Sequence, residues 1–262
     1  MTAPSHDSSH LVISDDLASV ARDGAELFVR LAQAAAPRGR FSVALSGGNT
    51  PREMHALLTR PPYISQVDWA IVQFYWGDDR CVNPDDPQSN YHMARETLLD
   101  ALPISPSQVH RIHTEERDPA TAAALYAEEL RQDFRLAPSD GRPPDAPTLP
   151  RFDLVYLGMG DDGHTLSLFP HTSALGENDR LVVANEVPKL GINRITLTAP
   201  VVNNAAAAAF LIAGPDKAAA LAAVLQGPRD PDEYPSQLIH PTNGELYWYV
   251  DRAAAAQLAH PA

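Results

Sequence analysis

The chain has 262 residues, of which 44% are hydrophobic and 20% charged, a composition typical of a globular protein long enough to bury a core. Its 20 basic and 33 acidic residues give a formal charge of −13, which disfavours nucleic acid and anionic membranes as partners because both bind basic faces. A single cysteine, Cys81, excludes a disulfide framework, and no apolar run approaches the roughly 20 residues that span a bilayer, so we expect a cytoplasmic protein.

The first half of the chain alternates helical and strand-like segments after a polar start. Residues 1–10 predict a flexible tail, and they lack the basic, apolar and cleavage regions of a signal peptide. Further along, apolar residues recur either at a helical period or in short runs typical of buried strands. These patterns predict, in order, a helix over 15–36, strands over 41–45 and 69–76, and a helix over 119–134.

A proline-rich stretch at 137–150 interrupts this pattern, which then resumes. The later elements are predicted as strands over 152–157, 194–198, 207–212 and 245–250 and as helices over 216–225 and 252–259. Because both sides of the stretch share one pattern, we interpret 11–262 as a single domain with a long proline-rich loop. Short apolar strands alternating with helices predict the α/β class, with a three-layer, mainly parallel sheet and helices on both faces.

Ligands of such sheets bind beyond the carboxyl ends of the strands, and the first such end carries a glycine-rich turn. There Ser46, Gly47, Gly48, Asn49 and Thr50 precede a predicted capping box in which Thr50 is the N-cap, so a helix begins at this point. Backbone N–H groups at a helix N-terminus favour a phosphate. The alternative is a tight turn that binds nothing.

The second strand end carries Asp78, Asp79 and Arg80 directly after an apolar strand. Arg80 is a candidate ligand for a phosphate or a developing negative charge, and Asp78 is a candidate partner of sugar hydroxyls or of Arg80. A solvated surface turn is the alternative.

The third strand end is the most informative, because it places an acid and a histidine on a glycine-rich turn. Gly158, Gly160 and Gly163 match the dinucleotide-binding pattern, but the carboxylates that follow Gly160 would repel a pyrophosphate and Pro170 cuts the next helix short. We therefore interpret the turn as a device that exposes Asp162 and His164. Histidine suits proton transfer near neutral pH, and a carboxylate two residues away fixes its tautomer.

Together these motifs resemble the family that contains 6-phosphogluconolactonases and glucosamine-6-phosphate isomerases, from about residue 15 to residue 255. The segments that carry the resemblance are Ser46-Gly-Gly-Asn-Thr-Pro51, Trp76-Gly-Asp-Asp-Arg80, Gln88-Ser-Asn90, Gly158-Met-Gly-Asp-Asp-Gly-His-Thr165, Ser167-Leu-Phe-Pro170 and Arg194-Ile-Thr-Leu-Thr198. The resemblance implies a Rossmann-like fold of the sugar-phosphate isomerase type and a small phosphorylated sugar lactone as substrate.

For the reaction, the resemblance implies hydrolysis of 6-phosphoglucono-1,5-lactone in the pentose phosphate pathway, without a metal or an organic cofactor. His164 would be the general base and Asp162 would orient it. The substrate would be held by Ser46, Gly47, Gly48, Asn49, Thr50, Asp78, Arg80, Arg194 and Lys217. The oxyanion donor stays open between backbone N–H groups of the glycine turns and Arg80.

At one position this chain departs from the family, and some roles and the oligomeric state stay open. The family commonly has Glu where this chain has Asp79, which weakens a direct role for position 79. Lys189 is a candidate lid cation, and the segments 137–150 and 176–193 are candidate lids. Oligomeric state is open between a monomer and a small homo-oligomer.

Two other functions are weighed against lactone hydrolysis. An amino-sugar phosphate isomerase/deaminase typically has Phe-Asn-Glu-Pro after the histidine, whereas this chain has Ser167-Leu-Phe-Pro170 and so lacks that acid. A non-catalytic sugar-phosphate-binding regulator would keep the phosphate loop, but it would have no need of His164 and Asp162.

Overall fold

Ten strands and six α-helices make up the part of the chain that this computed structural model describes, which is residues 9–136, 148–187 and 191–259. The strands are β1 (Ser9–Ser14), β2 (Phe41–Leu45), β3 (Val72–Trp76), β4 (Asp78–Arg80), β5 (Val109–His110), β6 (Leu154–Leu157), β7 (Val182–Asn185), β8 (Arg194–Leu197), β9 (Ala207–Ile212) and β10 (Glu245–Asp251). The helices are α1 (Leu17–Ala35), α2 (Asn49–Leu58), α3 (Asn90–Thr97), α4 (Pro119–Asp133), α5 (Ala199–Asn203) and α6 (Ala218–Gln226).

Seven of the strands form one parallel sheet in the order β1-β10-β9-β6-β2-β3-β5. Strands β2, β6 and β9 are buried along their whole length, as expected for a parallel sheet that helices cover. The predicted fold class, a mainly parallel α/β sheet with helices around it, is confirmed.

The parallel arrangement decides where a site can form. Because all strands run the same way, the residues that follow β2, β3, β6 and β9 lie at one edge of the sheet. The chain passes from β2 to β3 on one side and from β6 to β9 on the other, so the strand order reverses between β2 and β6. Ligands of open α/β sheets bind at such a reversal.

A second, antiparallel sheet of three strands in the order β4-β8-β7 stands beside this edge. In its register Arg80 lies opposite Arg194, so the two arginines are cross-strand neighbours. Strand β8 was predicted as part of the strand–helix alternation, but it pairs only within this small sheet. The sheet therefore brings two basic side chains from separate parts of the chain together.

Several predicted boundaries change in the structure. Strand β1 begins at Ser9, so the predicted tail over 1–10 is wrong for Ser9 and His10. Residues 69–71 form a turn of 3₁₀-helix before β3, and the predicted helix over 252–259 reduces to a 3₁₀ turn, Ala254–Gln257. Strands β1, β4 and β7 and helices α3 and α5 were not predicted.

Some predictions fall outside the described residues. These are the tail over 1–8, Lys189, and 137–147 of the proline-rich loop. Among the helices in the described ranges, none is long and apolar enough to cross a membrane.

Candidate active site

A cavity of about 300 Å³ opens at the carboxyl edge of the parallel sheet, where the small sheet meets it. Its lining comprises Ser46, Gly47, Gly48, Asp78, Arg80, Asn90, Gly158, Met159, Gly160, His164, Leu166, Arg194 and Lys217. An adjoining cavity of about 370 Å³ shares Gly47, Gly48 and Lys217 with it and adds Asn49 and Thr50. The structure thus gathers most of the predicted site residues around one opening, and Asp162 lies behind His164.

The pair of His164 and Asp162 has the geometry of an oriented base. Nδ1 of His164 lies 2.5 Å from Oδ1 of Asp162, and the backbone N–H of His164 donates to the same oxygen at 3.1 Å. Partial burial raises the pKa of Asp162, but the hydrogen bonds and charge of His164 outweigh it and lower that pKa to about 2. When the imidazole is neutral, a charged Asp162 holds its proton on Nδ1, which leaves Nε2 as the proton acceptor.

The turn that carries this pair follows β6 and is closed by backbone hydrogen bonds. The N–H of Gly160 donates to the carbonyl of His164 at 2.8 Å, and the hydroxyl of Thr165 donates to the carbonyl of Gly158 at 2.8 Å. A Cβ atom on Gly160 would lie 2.0 Å from Nδ1 of His164 and 2.5 Å from Oδ1 of Asp162. Gly160 therefore has no side chain because the pair of His164 and Asp162 occupies that space, and the turn forms no crossover helix.

Two residues that sequence reasoning missed support the turn. Ser236 is fully buried and donates both its N–H, at 2.9 Å, and its hydroxyl, at 2.8 Å, to the carbonyl of Gly163. The ring of Phe169 stacks on the imidazole of His164, with centroids 3.9 Å apart and planes 23° apart. No local pattern singles out Ser236, because its contact lies 73 residues away in the chain.

The glycine-rich loop after β2 presents a helix end to the cavity. Helix α2 has Gly48 as its N-cap, with φ at +110° and no side-chain cap, so the predicted capping box with Thr50 as N-cap is wrong. Thr50 instead lies within the first turn. The first backbone N–H groups of a helix lack partners within it, and the helix dipole favours an anion beside them.

Lys217 approaches the same loop from the end of β9. Its Nζ is 3.0 Å from Oδ2 of Asp216, and its side chain is 23% exposed. Lys217 and the start of α2 border both cavities, so the amine and the helix end can contact one bound anion.

Arg80 and Arg194 form the second basic group of the cavity. The Nε atoms of both are buried without a protein partner, although Nη1 of Arg80 donates to the carbonyl of Gln88. Burial, and then the positive charge of Arg80, lower the pKa of Arg194. The two guanidinium groups therefore repel each other, and an anion bound by both would relieve that repulsion.

The two neighbouring acids have different roles. Asp78 lines the cavity but is only 5% exposed, and its carboxylate accepts the hydroxyl of Ser167 at 2.6 Å and the amide of Asn90 at 3.3 Å. Asp79 is buried behind it and accepts the backbone N–H groups of Arg80, Asn90 and Tyr91. Burial raises the pKa of Asp79. Its oxygens bind the start of α3 and are not part of the cavity lining.

Asn90 is a lining residue that was absent from the predicted set. It begins α3, and its amide Nδ2 donates to the backbone carbonyl of Asp78 at 2.9 Å. The available signal was its place in the Gln88-Ser-Asn90 motif, which by itself indicated no function.

Comparisons with known proteins find similarity to one family over most of the chain. The chain matches the family described as glucosamine-6-phosphate isomerases/6-phosphogluconolactonase over residues 15–248. A 6-phosphogluconolactonase of Nostoc sp. is 40% identical over 248 residues, which cover 95% of this chain and 97% of that protein.

Solved structures are similar over nearly the whole chain. The crystal structure of devB protein has a TM-score of 0.83 at 32% identity and covers 96% of this chain and 100% of the other. The 6-phosphogluconolactonase of Trypanosoma brucei has a TM-score of 0.82 at 25% identity, with coverages of 96% and 99%.

Proposed function

The chain belongs to the glucosamine-6-phosphate isomerase/6-phosphogluconolactonase family, and from this premise we propose that it hydrolyses 6-phospho-D-glucono-1,5-lactone to 6-phospho-D-gluconate. The observation that carries the proposal is the contact between His164 and Asp162 at the rim of a cavity that also holds Arg80, Arg194 and Lys217. A base that faces cations suits an anionic substrate attacked by water. The reaction is a step of the oxidative pentose phosphate pathway.

In the proposed mechanism His164 first accepts a proton and then donates the same proton to the leaving group. Nε2 takes a proton from water while the water oxygen bonds to C1, and the carbonyl electron pair moves onto the carbonyl oxygen. When that pair returns, the bond between C1 and the ring oxygen breaks, and the ring oxygen takes the proton from the imidazolium as it becomes the C5 hydroxyl. Asp162, charged throughout, stabilises the imidazolium between the two steps.

The phosphate end of the substrate is assigned to the loop from Ser46 to Thr50 together with Lys217. The loop and Lys217 line the same cavity, and the phosphate could bind there to the N–H groups at the start of α2 and to the amine of Lys217. Arg80 and Arg194 on the opposite sheet, with Asp78, would hold the sugar. The cavity offers two sets of donors for the oxyanion, which are the guanidinium of Arg80 and backbone N–H groups of the glycine turns.

We further propose that the reaction needs no metal or organic cofactor. Positive charge at the developing oxyanion is available from arginine, and His164 supplies the base. Hydrolysis should therefore proceed at the same rate after treatment with EDTA, and restoration of a lost activity by a divalent cation would contradict the proposal.

An amino-sugar phosphate deaminase is the alternative on the same scaffold. Ring opening and proton transfer between C1 and C2 require a further free carboxylate. Among the described residues that line the cavity, the only acid is Asp78, and both of its oxygens already accept hydrogen bonds from Ser167 and Asn90. Release of ammonia from glucosamine 6-phosphate would support this alternative.

The first test removes the proposed base. We expect His164→Ala to lower kcat by about 10²- to 10⁴-fold, the range for a positioned general base. Each hydrolysis releases a carboxylic acid, so the rate can be followed in a pH-stat, with the spontaneous hydrolysis of the lactone subtracted.

The control for this test is another histidine outside the cavity. His113 is 45% exposed and pairs with Glu115, so His113→Ala should keep full activity. A His164→Ala variant with a kcat close to that of the wild type would show that His164 is not the base.

A further inference from the structure

We propose that Phe169 is a positioning residue that holds both the base His164 and the substrate ligand Arg194. Its ring stacks on the imidazole with centroids 3.9 Å apart, and Cζ of Arg194 lies over the same ring at 5.6 Å from its centroid. Phe169 is only 7% exposed and does not line the cavity. The ring of Phe169 therefore contacts two residues of the cavity lining, although Phe169 itself does not line the cavity.

The backbone around Phe169 is anchored from the small antiparallel sheet. The carbonyl of Phe169 accepts the hydroxyl of Thr172 at 2.8 Å, and Asn185 of β7 donates to that hydroxyl oxygen at 3.0 Å. Nδ2 of Asn185 also donates to the carbonyl of Ser167 at 2.8 Å. Because Asn185 is buried and holds the segment on both sides of Phe169, the ring has a defined position.

Two contacts then fix the direction of the imidazole. Asp162 holds Nδ1 and the ring of Phe169 covers a face, while the edge formed by Nδ1 and Cε1 fills the space that a Cβ atom on Gly160 would take. With these positions set, Nε2 points in one direction, which a base needs in order to meet the attacking water. An aromatic face also stabilises a cation above it, so the ring favours the imidazolium formed during the reaction.

The proposal predicts that the ring, and not only its volume, is required. Phe169→Leu keeps an apolar side chain but removes the aromatic face, and we expect kcat to fall about threefold to tenfold. KM should rise less than kcat falls, because only Arg194 among the substrate ligands loses a contact. Phe169→Tyr keeps the ring and should restore most of kcat.

Phe28 provides the matched control for lost packing. It is fully buried in α1, contacts Phe41 and Trp69, and is not part of the cavity lining. Phe28→Leu should lower the melting temperature and leave kcat unchanged. If Phe28→Leu and Phe169→Leu lower kcat equally, or if Phe169→Leu leaves it unchanged, the positioning role is wrong.

A measurement that does not use activity separates this inference from the proposed function, on which it rests. In an NMR spectrum the ring protons of His164, assigned through His164→Gln, should carry the upfield shift of a stacked ring and lose it in Phe169→Leu. Absence of that change would overturn the stack. If the upfield shift is lost in Phe169→Leu as expected but His164→Ala keeps full activity, the stack is supported and the role of His164 as base is wrong.

Discussion

His164 differs from His110 and His171 in how its two ring nitrogens are used. His171 pairs with Asp232 through Nδ1 and with Glu233 through Nε2, and both ring nitrogens of His110 contact side chains. His164 contacts Asp162 through Nδ1, and within the described ranges its Nε2 has no protein partner. An imidazole with one nitrogen held by a carboxylate and the other free is suited to act as a base.

Lys217 allows a test at the residue scale of where the phosphate binds. A hydrogen bond to a charged group contributes about 1.5–3 kcal/mol, so Lys217→Ala should lower kcat/KM for the phosphorylated lactone by about 10- to 100-fold. For glucono-1,5-lactone, which has no phosphate, kcat/KM should be the same in the variant and the wild type.

The two substrates serve as each other's control. Steady-state kinetics on both, with the same enzyme preparations, cancels any loss of folded protein. An equal loss on both substrates would place Lys217 at the sugar rather than at the phosphate.

The sequence predicted best those site residues that are close together in the chain. Asp162 and His164 are two residues apart on a turn after an apolar strand, so their contact follows from local geometry. The support from Ser236 and the stack of Phe169 depend on how distant segments pack or on side-chain orientation, which periodicity does not report. The carboxylate of Asp79, whose direct role was doubted, accepts backbone N–H groups of α3 and does not line the cavity.

At the scale of elements, the buried strands of the main sheet and the long helices were predicted well, whereas two strands of the small sheet were not. Strands β2 and β9 have their predicted ends, and α4 lies within one residue of its prediction. Strands β4 and β7 have only three or four residues, too few to show an alternating pattern. They pair with β8, so their existence depends on tertiary contacts.

The turn after β6 provides a prediction at this scale. Gly160→Ala should lower kcat by at least about 10²-fold, because its Cβ atom would collide with Nδ1 of His164 and Oδ1 of Asp162 and misplace the base. Kinetics in the pH-stat and a thermal unfolding curve would measure the two effects separately, and we expect the loss in kcat with a folded protein.

Gly176 is the matched control for this substitution. A Cβ atom there meets nothing within 4 Å, so Gly176→Ala should leave both kcat and the melting temperature close to those of the wild type. Wild-type kcat in Gly160→Ala would mean that the turn can shift without moving the base, contrary to the expectation.

At the scale of the whole molecule, the charge of −13 and the basic cavity are compatible. Among the described residues at the cavity, the three cations Arg80, Arg194 and Lys217 outnumber the acids, which are Asp78 in the lining and Asp216 beside Lys217. The negative charge thus belongs to the protein as a whole, whereas the positive charge is concentrated where an anionic sugar would bind. Net charge excludes partners that need an extended basic surface, but it carries no information about a small site.

His55 predicts how the stability of the whole fold responds to acid. It is fully buried in α2, its Nδ1 contacts Oγ1 of Thr97 at 2.9 Å, and its Nε2 has no partner. Burial, and then the charge of Arg52, lower its pKa from 6.5 to about 3. As the pH falls below about 6.5, His55 takes up a proton in the unfolded chain, but in the native protein it does so only near pH 3. Its contribution to stability is therefore complete above pH 6.5 and is lost progressively between pH 6.5 and about 3.

The measurement is urea unfolding at several pH values between 7 and 4. One proton corresponds to a slope of about 1.4 kcal/mol per pH unit in the free energy of unfolding. His55→Gln removes this group, so its slope should be shallower than that of the wild type by about that amount. Parallel curves for the two proteins would show that His55 titrates alike in the folded and unfolded states.

The two hydrogen bonds that Ser236 donates to the carbonyl of Gly163 have a consequence for folding during synthesis. A nascent chain that has left the ribosome only as far as residue 230 already contains every residue that lines the cavity, yet it lacks Ser236 and strand β10. Since β10 lies between β1 and β9 in the sheet, the N-terminal strand must wait for it. The turn that carries His164 and the parallel sheet therefore both depend on the segment after residue 230, which supplies Ser236 and the strand that lies between β1 and β9.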